Sequence, residues 1–194
     1  TSRVRNKDTA SFELLVDNYD GTHTGTTTVD YVVMEAGDWT LEDGAGGTRV
    51  VAGSELVSTV EANSLSSTIN GTTVSFSPSF SGTPAVMTAI TSNNDSTWVI
   101  SSTHDGSNKN NTPTASTLGL FLNRIFESAV HDPEDVDYIA FEQGHGTNDG
   151  NEFDFILGSN EITHTPEAIS FNSSFSPSAP GVTVVQNASN DGGN

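Results

Sequence analysis

Any chemistry in this chain has to come from carboxylates and carboxamides gathered in loops. Four clusters stand out: Asp17-Asn18-Tyr19-Asp20, Asn93-Asn94-Asp95, Asn148-Asp149-Gly150-Asn151-Glu152 and Asn190-Asp191-Gly192. Hard oxygen ligands on loops suit Ca²⁺, which makes Asp17, Asp20, Asp95, Asp149 and Asp191 the candidate cation ligands and Ca²⁺ the one cofactor the residues suggest. The same residue types are the ordinary material of turns, and neither an EF-hand nor a Ca²⁺-binding nonapeptide repeat is present. Both readings stand. The five His are scattered, with none at zinc spacing from another, and His104-Asp105 and His131-Asp132 read as solvated loop residues. Tyr31, Tyr138, Trp39 and Trp98 offer rings that can stack on a sugar. The two Tyr recur within apolar strands and are expected in the core, which leaves Trp39 and Trp98 as contact residues.

Composition narrows the function classes. There are 25 acidic against 6 basic residues, a net charge of -19, so nucleic acid is excluded as a partner because phosphate binding needs clustered Lys and Arg. Anionic membranes are disfavoured for the same reason, and no apolar run approaches the roughly 18 residues of a membrane span. An acidic surface rich in Ser, Thr, Asn and Gly suits a protein outside the cell or at its surface, where salt screens self-repulsion over about 8 Å or less. The absence of Cys removes disulfides, Cys-ligated zinc and thiol chemistry. No nucleophile elbow, metalloprotease helix or phosphate loop occurs, and the chain is not expected to be an enzyme.

The elements that must position these residues repeat. Val29-Asp30-Tyr31-Val32-Val33-Met34-Glu35-Ala36-Gly37 returns 107 positions later as Val136-Asp137-Tyr138-Ile139-Ala140-Phe141-Glu142-Gln143-Gly144. Val74-Ser75-Phe76-Ser77-Pro78-Ser79-Phe80, followed by Pro84-Ala85-Val86, returns as Ile169-Ser170-Phe171-Asn172-Ser173-Ser174-Phe175, followed by Pro180-Gly181-Val182. Placing the C-terminal end before the N-terminal end rebuilds a whole unit, so the chain reads as two units of about 95 to 99 residues, the size of a single sandwich. Short β-former runs at 72–76, 85–92, 97–102, 118–125, 136–142 and 153–157, regular turn signals and no sustained 3.6-residue period predict an all-β protein with little helix. Two more strands are expected within 3–16 around a turn at Asn6-Lys7-Asp8, another at 29–35, and a hairpin at 41–51; 54–68 reads as extended.

The order Phe76-x-x-x-Phe80, Pro84-x-Val86, Asn93-Asn94-Asp95, Gly119-Leu120-Phe121 and Tyr138-Ile139-Ala140-Phe141-Glu142 resembles the H-type lectin domain, including bacterial tandem-repeat versions. The resemblance covers the central unit and, with the ends joined, the split one. It implies antiparallel β-sandwiches, often trimeric, and in the animal members a site for N-acetylgalactosamine at the subunit edge. Family sites use an Arg on the strand before the Gly-Phe element and a His in the loop before the final strand. Arg3 and His23 match these in the split unit, while the intact unit keeps His131 but carries Trp98 and His104 where the Arg belongs. The implied carbohydrate-binding set is therefore Arg3, His23, Trp98 and His131.

The expected fold is two antiparallel β-sandwich units of H-type lectin-like type, one intact and one split between the two ends. Residues 1–39 are the C-terminal half of the split sandwich, 40–71 a connecting hairpin and extended segment, 72–146 the intact sandwich, 147–168 a connecting strand, and 169–194 the N-terminal half of the split sandwich. The expected function is the repeating structural unit of an extracellular fibre or giant repetitive surface or adhesin protein. Its partners are further copies of itself, head to tail, either as a tandem array or by strand complementation between subunits; a closed two-domain monomer with its own ends paired also fits the repeat. The alternative is a carbohydrate-binding lectin, with glycans as partners.

Overall fold

The structure is a computed structural model that describes residues 2–16, 28–29, 31–41, 47–58, 60–62, 68–69, 71–94, 99–124, 131–158, 168–175, 180, 182 and 184. These residues form twelve β-strands and no helix, the all-β class expected. Strands β1 (Ser2–Arg5) and β2 (Glu13–Val16) pair as a hairpin, and β3 (Gly37–Leu41) and β4 (Thr48–Val57) as a second. Then come β5 (Val60–Ala62), β6 (Thr72–Ser75), β7 (Ala85–Ile90), β8 (Ile100–His104), β9 (Thr117–Arg124) and β10 (Glu134–Phe141). A third hairpin, β11 (Gly144–Asn148) and β12 (Asn151–Phe155), follows. Its turn is Asp149-Gly150, both at positive φ (51° and 78°), the conformation that a two-residue type I′ turn requires and that Asp-Gly accepts at low cost.

The body is sandwich-like. One sheet runs β3-β4-β10-β7, antiparallel throughout. In the other, β9 is central: β8 lies antiparallel along one edge, while β6 (antiparallel) and β5 (parallel) share the opposite edge. The hairpin expected as a connector thus supplies β4, which pairs with the whole of β10 from Glu134↔Val57 to Phe141↔Val50. Between the sheets lie Val57, Val74, Phe76, Phe80, Val86, Ile90, Val99, Leu118, Leu120, Leu122, Val136, Tyr138 and Ala140. The phase of β10 explains its share: Glu134, Val136, Tyr138 and Ala140 are buried and the intervening Asp135, Asp137 and Ile139 are not, the period of 2 of a strand with one face on a core. Tyr138 lies over Gly53, its cross-strand partner, where a β-carbon would sit 2.5 Å from the phenol oxygen.

Strand β9 is buried at every position from 118 to 122, because its second face is covered too. The covering group is His104, fully buried and edge-on to Phe121 at 5.6 Å between ring centroids. Two glycines make room for the imidazole: a β-carbon at Gly119 would stand 2.4 Å from the ring, and one at Gly71 would stand 2.6 Å from Nε2. His104 and His131 are both buried, which corrects the expectation of solvated loop residues; strand glycines opposite a His were the signal for the first. Gly119→Ala should cost about 1–3 kcal/mol in urea unfolding, the usual cost of overpacking, while Gly82→Ala, which meets nothing within 4 Å, should change stability by less than about 0.5 kcal/mol.

The His104 site also sets a pH dependence. The Gly106 N–H donates to Nδ1 at 3.0 Å, so the ring proton sits on Nε2, which is buried and has no hydrogen-bond partner. Burial pushes the imidazole pKa down, and the neighbouring Asp105 only partly offsets this. The unfolded chain therefore holds the proton more tightly, so this group's stability is complete above about pH 6.5 and is lost as the pH falls below that value. Unfolding curves at about pH 7.5 and about pH 5.5 should show a stability loss in the wild type that is smaller in His104→Leu; equal losses would contradict this. Asp105 itself orders the next loop. Burial pushes its carboxyl up, but hydrogen bonds from the Asn111 amide and from the Asn108 and Ser107 N–H groups outweigh it and hold the pKa at about 2.

Residues 31–35 differ from expectation: this β-former run lies in no strand. A strand needs neighbours to complete its backbone hydrogen bonds. Its copy, β10, has two, β4 and β7, whereas residues 31–35 pair with no strand among the described residues.

Candidate functional site

Of the residues singled out for sugar or cation binding, His131, Asp149 and the backbone of Arg3 lie among those described. Arg3 stands in β1, paired with Leu15. Asp149 is exposed in the β11–β12 turn. His23, Trp98, Asp17, Asp20, Asp95 and Asp191 lie outside the described residues, and within them no three His, Asp or Glu side chains gather as a metal set. Trp39 is 40% exposed and donates its indole N–H to the Glu35 carbonyl at 2.9 Å.

His131 belongs to a buried polar cluster at the start of β10. Its Nε2 lies 3.9 Å from Glu134 Oε1, and both side chains are fully buried. The Glu134 carboxylate accepts the Ser92 hydroxyl and the Asn94 N–H, the latter at 3.2 and 3.1 Å to its two oxygens. Ser92 Oγ in turn accepts the Asp135 N–H at 2.7 Å, and the Asn94 amide donates to the Pro133 carbonyl at 2.7 Å. The cluster pins the loop after β7 to the start of β10. Sequence reasoning missed Glu134, although its place in the inward phase of 134, 136, 138 and 140 marks it. An open polar cleft of about 480 Å³ lies alongside, between the turn after β1 (Arg5, Asn6, Lys7) and residues 91–94. Its cations are compensated, Arg5 by Glu13 at 2.9 Å and Lys7 by Asp137 at 2.6 Å.

The second candidate surface is apolar, and comparing the two repeat copies defines it. Tyr138 is 8% exposed and its copy Tyr31 67%; Ala140 is 0% and Val33 71%; Phe76 is 5% and Phe171 43%; Val86 is 2% and Val182 66%. Val32, Ile169 and Val184 are exposed as well. Residues that build the core of one unit are thus presented to solvent in the other.

The C-terminal half-unit nevertheless carries the same local construction as its buried copy. Phe76 and Phe80 meet edge-to-face at 4.8 Å and 84°, and Phe171 and Phe175 do so at 5.1 Å and 80°. The Arg49 guanidinium lies 4.5 Å from the Phe80 ring centre. On the corresponding hairpin, the His145 ring meets Phe175 edge-on at 5.9 Å. Gly37 and Gly144, which open the two hairpins, share φ values of 150° and 153°. Asp154 of β12 fastens the second Phe element to its hairpin, accepting the N–H and the side-chain amide of Asn172, both at 2.6 Å. In the intact unit Arg49 is bidentate to Asp38 at 2.9 and 2.8 Å, which lowers the Asp38 pKa and raises that of Arg49. Glu142 accepts from the Ser81 hydroxyl and N–H, and these bonds outweigh burial to lower its pKa.

Compared with known proteins, the chain matches no family model, no curated protein and no solved structure.

Proposed function

We propose that this chain is the repeating structural unit of an extracellular fibre or repetitive surface or adhesin protein, its copies joined head to tail by completion of a split β-sandwich. One observation carries the reading. The chain contains the same apolar pattern twice, buried as a core in one unit and, among the described residues, exposed without strand partners in the other. Such exposed β-forming runs are a template for pairing with another chain, and the intact unit supplies the geometry that such pairing would reproduce. A head-to-tail contact uses two different surfaces, so each added copy leaves a surface free for the next and the assembly grows into a filament wherever the rotation between copies does not close a ring. The composition supports an extracellular setting: an acidic chain of net charge -19, rich in Ser, Thr, Asn and Gly.

Sedimentation velocity over a range of concentrations tests the reading. A series of species at successive multiples of 20.4 kDa, extending upward with concentration, is the expected result. A single 20.4 kDa species at every concentration would sink it, and so would a dimer or trimer that grows no further.

A further inference from the structure

We infer that the junction between copies is a β-strand splice of defined register, in which residues 31–33 of one copy lie antiparallel to residues 182–184 of the preceding one, Tyr31 opposite Val184 and Val33 opposite Val182. This rests on the head-to-tail reading and adds the partner segment and its alignment. In the intact unit β10 pairs with β7 so that Tyr138 faces Thr88 and Ala140 faces Val86. Tyr31 and Val33 are the copies of Tyr138 and Ala140, 107 positions earlier, and Val182 is the copy of Val86, set by the shared Pro-x-Val. Carrying the pairing across places Val33 on Val182 and, one antiparallel step of two residues on, Tyr31 on Val184. Both pairs hold apolar side chains that now stand in solvent, Val184 at 86% exposure.

The occupant is a second copy because the repeat supplies both complementary surfaces: Tyr31, Val32 and Val33 of one copy and Ile169, Phe171, Val182 and Val184 of the other are all exposed, while the counterparts Tyr138, Ala140, Phe76 and Val86 are buried in one shared core in the intact unit. Part of the receiving half is already in place: the Asp154–Asn172 bonds hold the Phe171–Phe175 element against the β11–β12 hairpin.

The chain has no Cys, so introduced pairs report cleanly. Residues directly opposite in an antiparallel pair have Cα atoms about 4.5–5.5 Å apart, within disulfide reach, whereas a two-residue offset exceeds about 7 Å and cannot be bridged. Under mild oxidation, Tyr31→Cys with Val184→Cys, and separately Val33→Cys with Val182→Cys, should give a reducible ladder at multiples of 20.4 kDa on denaturing gels. The offset pair Val33→Cys with Val184→Cys should stay at the single-chain position. If light scattering shows assemblies but only the offset pair cross-links, or no pair does, the register is overturned and the head-to-tail reading survives. If the matched pairs give only an internally cross-linked single chain with no assembly, both are overturned.

Discussion

Val33→Asp should leave the chain at 20.4 kDa under conditions in which the wild type assembles. In the intact unit the position of Val33 is held by Ala140, which is fully buried. A carboxylate brought into that environment without a partner either keeps its charge at a high desolvation cost or takes up a proton, and either route costs several kcal/mol. At about 4 kcal/mol per junction the association constant falls on the order of 10³-fold. The substitution should leave the folding of the chain itself intact, because Val33 is 71% exposed and lies in no strand. Unfolding curves of Val33→Asp that match the wild type below its assembly concentration, together with lost assembly, are the expected pair of results. Assembly of Val33→Asp at wild-type concentrations would place the junction elsewhere.

Glu134→Leu should lower the stability of the intact unit by about 3 kcal/mol, because a donor left without an acceptor in a buried cluster costs about 1–3 kcal/mol. The half-buried Ser92 hydroxyl and the Asn94 N–H would lose their acceptor, and the buried His131 ring would lose the carboxylate beside it. Glu134→Gln keeps an acceptor oxygen and should lose about half as much. For a unit of about 100 residues 3 kcal/mol corresponds to a drop in melting temperature of roughly 12–24 °C. A melting temperature for Glu134→Leu within a degree or two of the wild type would show that the cluster contributes nothing to holding the loop after β7 onto β10.

The fold class and the repeat were legible because both rest on local pattern. The alternation of Val136, Tyr138 and Ala140 with Asp135, Asp137 and Ile139 specifies a strand with one buried face, and Asp149-Gly150 specifies its turn. What escaped depends on neighbours distant in sequence. Nothing within 48–57 announces that it will pair with β10 some 84 residues away, since either face of an extended run can be recruited by any free edge. His104 and His131 read as loop residues because each is followed by Asp, yet their environments are set by Gly71 and Gly119 in one case and by Glu134 in the other. Residues 29–35 show the limit most clearly. The sequence pattern is that of β10, but a strand is a property of a pair, and this copy lacks within the described chain the neighbours that β10 has. Of the candidate site residues, Asp149 sits in the turn that its type predicts, while in the Ser92–Glu134–His131 cluster the one signal was the place of Glu134 in the inward phase of β10.

Electron microscopy of the wild-type chain at neutral pH tests the head-to-tail account most directly. Unbranched filaments, with intact and completed sandwiches alternating along the axis, are the predicted result. Uniform particles of 20.4 kDa at the highest attainable concentration, with no longer species, would contradict it.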